Sequence, residues 1–95
     1  MKECVIHGAA IPSWDALYTK LAADLALPTW FGRNLDALYD CLTDLTDAQI
    51  TVYQWPVLAR TLGPKSAALR RVLNEAGLEN PGLIVCLLED GDDEI

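Results

Sequence analysis

Basic residues are scarce in this chain of 95: seven lysines and arginines stand against fourteen aspartates and glutamates, a formal net charge of −7. That shortage excludes the usual electrostatics of direct nucleic-acid binding, in which protein cations displace counterions from phosphate. No apolar run approaches the ~20 residues of a membrane-spanning helix. The opening residues, Met1-Lys2-Glu3-Cys4-Val5, lack a signal peptide's longer apolar region and cleavage site. A cytoplasmic protein with no membrane partner is the expectation. Cys4, Cys41 and Cys86 are odd in number, far apart and without a CxxC pair, so they read as small buried hydrophobes. His7 is the only histidine, and one imidazole without a ligand cluster is a poor basis for a metal site. No P-loop, GxGxxG, HExxH or GxSxG occurs, so neither a cofactor nor a catalytic residue is assigned.

What is present is apolar patterning. The hydrophobic fraction of 52% suits one domain over residues 1–95, with a core that needs no disulfide or metal. Five of the fourteen acids fall in residues 89–95, which read as a solvated, disordered acidic tail. The remainder carries nine acids against seven bases, a net of −2. Such a chain suits a partner that is itself basic.

Cys4-Val5-Ile6 reads as a short strand closed by Gly8. Ser13 is placed to cap a helix carrying Trp14, Leu17, Tyr18, Leu21 and Leu25, which Pro28 stops. A second helix is predicted from about Asn34 to Leu45, with Leu35, Leu38, Leu42 and Leu45 facing inward. Ile50 to Tyr53 alternates as a strand. Pro56 and Gly63 bracket a short helix, and Ser66 to Ala76 forms another, with Gly77 as its stop. Leu83 to Leu88 is six apolar residues long, the pattern of a strand buried on both faces. The order β-α-α-β-α-α-β predicts an α/β fold, a small three-stranded parallel sheet packed with helices through right-handed crossovers.

Residues 27–45, LPTWFGRNLDALYDCLTDL, are the least ordinary stretch. Asn34 can cap the second helix, and Asp36 in its first turn suits the helix dipole by roughly 0.3–1 kcal/mol. Asp40 has no such role. It repeats a negative charge four residues on, and no Lys or Arg at i+4 relieves either acid. Asp36, Tyr39, Asp40 and Thr43 form one polar stripe that can accept donors such as guanidinium groups. On its own the stripe also reads as an ordinary solvated face. The preceding loop tips the weighing: Trp30 or Phe31, if turned outward, would place an aromatic anchor beside carboxylates, the make-up of a protein-binding hot spot. Gly32 is a candidate for a positive φ. Glu75, assigned to the last turn of its helix, sits where the dipole disfavours it. Paired carboxylates can serve glycoside hydrolysis, but neighbouring positions on one helix face give neither a cleft nor unlike environments.

This stretch, from Leu25 to Thr43, resembles the barstar family, intracellular inhibitors of secreted barnase-type ribonucleases. The run L-P-aromatic-aromatic-G followed by N-L-D-A-L-aromatic-D-C-L-T carries the likeness. The opening strand and glycine, the element order and Glu75-Ala76 extend it over most of residues 3–88. The resemblance implies a barstar-like fold and a monomer when free, whose second helix and preceding loop plug a basic ribonuclease active site. Asp40 would then be the central charge with Asp36 beside it, and Trp30, Phe31, Asn34, Tyr39, Thr43 and Glu75 would complete the surface. Tyr39 stands where the family commonly has tryptophan, Leu45 where its best-known member has an aromatic, and Arg33 where that member is acidic. The alternative reading is an interaction module on the same scaffold with a non-nuclease partner.

Overall fold

Strand order decides which side chains of this chain become core. The computed structural model describes residues 1–89. The other six lie outside the described residues, and with them most of the acidic tail and its expected disorder. The elements are β1 (Lys2–His7), a 3-10 turn at Gly8–Ala10, α1 (Trp14–Leu25), α2 (Leu35–Thr43), β2 (Ala48–Tyr53), α3 (Trp55–Leu62), α4 (Ser66–Glu79) and β3 (Leu83–Leu87). The three strands are parallel in the order β1-β2-β3, with Cys4 opposite Ile50 and Ile50 opposite Val85. The α/β class, the parallel sheet and the element order are as the sequence predicts.

Both crossovers step in the same direction across the sheet. Right-handed connections that step the same way put their helices on the same face. One face therefore carries the core, with Cys4, Ile6, Ile50, Val52 and Leu83 packed beneath Leu17, Leu21, Leu25, Leu38, Leu42, Leu69 and Leu73. The other face is left uncovered. This corrects the expectation that the last strand is buried on both sides: Ile84 is 49% exposed, and Leu88 beyond the strand end is 41% exposed. An apolar run signals burial but not how many layers cover it.

Local chemistry sets the helix ends. The Ser13 side chain accepts from the Ala16 N–H, and Pro56 occupies the first turn of α3, which ends at Gly63 with φ 85°. Gly77 does not stop α4. The helix runs through it to Glu79, because Asn80 and Pro81 provide the exit. Glu75 consequently lies one turn inside the helix end, and the dipole argument made for it does not apply. Gly8 is required by close approach, since a Cβ there would overlap the Gln54 carbonyl oxygen.

Asn80 ties two parts of the fold together and was not singled out from sequence. Its buried amide donates to the carbonyls of Leu42 (2.9 Å) and Leu45 (2.7 Å), while its side-chain oxygen accepts from Gly82 N–H (2.9 Å). It thus adds a donor to the Leu42 carbonyl in the last turn of α2 and reaches the Leu45 carbonyl in the segment that follows the helix. The turn-forming run Asn80-Pro81-Gly82 was the available signal. Asn80→Ala is expected to destabilise the protein by about 1–3 kcal/mol, the penalty for stranding buried partners. Urea unfolding checks this, and an unchanged midpoint would show that water replaces the amide.

The thiols differ in their surroundings. Cys4 and Cys41 are buried as expected, whereas Cys86 lies half-buried on the open sheet face. Burial, with the Asp24 carboxylate next in importance, pushes the Cys4 thiol up to about 12. Burial also raises Cys41, with Asp40 and Asp44 adding to it, and raises Tyr18 against the opposing charge of Arg33. Each of these acids holds its proton more tightly folded than unfolded. The stability they contribute is complete below the unfolded thiol value, roughly 8.5, and is lost as pH rises through the folded values. The melting temperature should hold steady from pH 7 to 8 and fall above pH 9. At pH 8, iodoacetamide should reach Cys86 well before Cys4, which mass spectrometry of the folded protein can read.

Candidate functional site

The loop from α1 to α2 separates the two adjacent aromatics. Ala26 ends α1 in a left-handed conformation with φ 53°, and Phe31 N–H closes a turn on the Pro28 carbonyl at 3.0 Å. That turn aims neighbouring side chains in opposite directions. Phe31 is 8% exposed and meets Tyr18 edge-on, with ring centroids 5.8 Å apart. Trp30 is 77% exposed, the most exposed aromatic among the described residues. Of the two candidate anchors, only Trp30 is presented to solvent. Phe31 instead fixes the loop to the core.

The positive φ expected at Gly32 falls on Arg33, at 55°. A Cβ at Gly32 would come within 3.2 Å of the Asn34 side-chain nitrogen, so a larger residue would press on the amide that caps α2. A left-handed arginine is strained by about 1–2 kcal/mol, and its contacts offset this. Arg33 Nη2 lies 2.6 Å from Asp15 Oδ1 and 2.9 Å from both the Asp15 carbonyl and Thr19 Oγ1. Its guanidinium carbon also stands 6.0 Å from the Tyr18 ring centre. The loop's positive charge is therefore turned toward α1 and neutralised within the chain.

Asn34 caps α2 as the sequence indicates. Its side-chain oxygen accepts from Ala37 N–H at 2.8 Å, and its amide donates to the Gly32 carbonyl at 3.3 Å. Thr43 Oγ1 donates back to the Asp40 carbonyl at 3.0 Å, so its proton serves its own helix. Asp36 and Asp40 are exposed, and Tyr39 is half-buried against the core. Packing of α2 against α4 brings Glu75 to them: Asp36, Tyr39, Asp40, Val72 and Glu75 line one shallow hollow of about 450 Å³. On the other flank of Asp40 lies a smaller crevice of about 220 Å³, shared with Trp30 and the α1–α2 loop.

Asp40 therefore stands between two hollows, one acidic and one mostly apolar. Among the described residues, none of Asp36, Asp40, Asp44 and Glu75 is in a salt bridge; the ion pairs are Met1–Asp47, Lys20–Asp24 and Arg33–Asp15. No group of three or more His, Cys, Asp or Glu among these residues is arranged to hold a metal ion. Unpaired carboxylates around a concave surface, with an indole beside them, can accept guanidinium or ammonium donors. Asp44 was missed from sequence, although it continues the i, i+4 spacing of Asp36 and Asp40.

The model of a sequence family described as Barstar (barnase inhibitor) matches residues 1–88. A Bacillus subtilis (strain 168) protein named "Putative ribonuclease inhibitor YrdF" is 38% identical over 52 residues, covering 55% of this chain and 57% of that protein. The matched region thus spans little more than half the length of that relative. With the three-stranded parallel sheet, the capped α2 and the family match over nearly the whole chain, this protein belongs to the barstar family.

Proposed function

We propose that the protein inhibits a barnase-type ribonuclease stoichiometrically, blocking a basic active site with the acidic face of α2 and the loop before it. The observation that carries this reading is the convergence of Asp36, Asp40 and Glu75, from two helices, on one hollow without a neutralising cation among the described residues. The family's description as barnase inhibitors and the name of the Bacillus relative support it. In this reading Asp40 occupies the centre of the nuclease's cationic site and Asp36 and Glu75 flank it. Trp30 supplies the aromatic contact, with Tyr39 filling the interface between the acids. Asn34, Thr43 and Phe31 complete the contact surface mainly by holding its backbone in place. The free protein acts as a cytoplasmic monomer and needs no cofactor.

RNA cleavage by a panel of basic barnase-type nucleases, titrated with the purified protein, tests the proposal. Loss of activity at a 1:1 ratio for at least one nuclease is expected. If every nuclease is untouched and affinity capture from the host yields a non-nuclease partner, the scaffold serves another interaction.

A further inference from the structure

The crevice beside Asp40 is small, and its lining is of two kinds. Leu27, Pro28 and Leu45 are half-buried apolar walls, the exposed Trp30 indole adds an aromatic one, and Asp40 and Asp44 supply carboxylates. Its volume of about 220 Å³ falls short of the ~300–1,000 Å³ typical of small-molecule sites, so it suits a single side chain. An apolar occupant would shield two carboxylates from water without giving them donors, which is unfavourable. A long cationic side chain meets both demands, laying its methylene stem on the apolar walls while its head reaches the acids. Trp30 adds a π face for that charge.

Asp44 is as poorly explained by its own helix as Asp40 is. It sits at the C-cap of α2, where the dipole disfavours a negative charge, and four residues beyond a like charge. Among the described residues it has no ionic partner. Nothing in the described fold accounts for it, whereas the complementary charge of an occupant would.

Resting on the inhibitor reading, we propose that this crevice receives a lysine or arginine side chain from the bound nuclease, and that Asp44 determines which nucleases are accepted. The contact shares Asp40 with the acidic hollow but lies on the opposite flank from Asp36 and Glu75. It selects for a cation at the rim of the partner's active site, not for the active site itself.

The test uses a ribonuclease that the wild-type protein inhibits. Dissociation constants are measured for Asp44→Asn, which removes one carboxylate charge, and Leu45→Trp, which fills the crevice but keeps both acids. Asp47→Asn, an acid on the far side of the α2–β2 turn, controls for net charge. Asp44→Asn and Leu45→Trp should each weaken binding about tenfold relative to Asp47→Asn, mainly through faster dissociation. The double variant should be little worse than either, because both remove one contact. Should Leu45→Trp fail the thermal-unfolding check, Asp44→Asn decides alone. If Asp44→Asn binds as tightly as Asp47→Asn, the crevice proposal is overturned while the inhibitor reading stands. If the wild-type protein inhibits no nuclease, both fall.

Discussion

Asp40→Ala should weaken binding to the target nuclease by roughly 30-fold to several thousand-fold, the range for truncating one partner of a buried, hydrogen-bonded charge pair, about 2–5 kcal/mol. Asp40 caps nothing, pairs with no cation among the described residues and adds a like charge at i+4 from Asp36. Folding gains nothing from it; the repulsion works against α2 by a few tenths of a kcal/mol. Binding reverses that balance when guanidinium or ammonium groups enter the hollows on either side. The folded protein should therefore keep its stability, or gain slightly, as its affinity collapses. Part of the loss will lie in association, since unpaired acids on one face steer a basic partner. That part should shrink as salt shortens the Debye length to about 3 Å at 1 M. Stopped-flow association and dissociation rates at several salt concentrations give both components. Equal losses from Asp40→Ala and Asp47→Ala would remove the case for a specific site.

The periodic parts of the chain announced themselves. The leucines of α1 and α2, the caps at Ser13 and Asn34 and the Pro56–Gly63 bracket rest on interactions within a few residues, which sequence spacing records directly. Trp30 and Phe31 mark the boundary of that method. Both are aromatic and adjacent, and only the turn closed between Pro28 and Phe31 decides which one meets Tyr18. Arg33 shows the same limit: its left-handed backbone depends on acceptors in α1, Asp15 and Thr19, far back in sequence. Glu75 rests on the family resemblance and on its supposed place at a helix end, and the length of α4 removes the second. Yet it lines the same hollow as Asp36 and Asp40, because α4 packs on α2. The uncovered sheet face was hidden for a related reason. Layering is a property of strand order, and the run Leu83–Leu88 does not encode it.

Leu38→Ala is expected to do the opposite of Asp40→Ala from two positions away on the same helix. Leu38 is fully buried, on the face of α2 that packs into the core with Leu42. Removing its branched end loses transfer free energy and leaves a cavity whose walls close only in part, together about 2–5 kcal/mol. A domain of this size is stable by only about 5–15 kcal/mol. With about 4–8 °C of melting temperature per kcal/mol for domains near 100 residues, the midpoint should drop by roughly 8–40 °C. The acids and Trp30 lie on the outer side of the helix and loop, so molecules that remain folded should retain near-native affinity. Calorimetry paired with active-site titration of the nuclease measures the two properties separately. If Leu38→Ala lost affinity per folded molecule as severely as Asp40→Ala, the exact seating of α2 would govern binding as strongly as its charge. If its stability were unchanged, α2 would not be the core helix that its leucine spacing makes it.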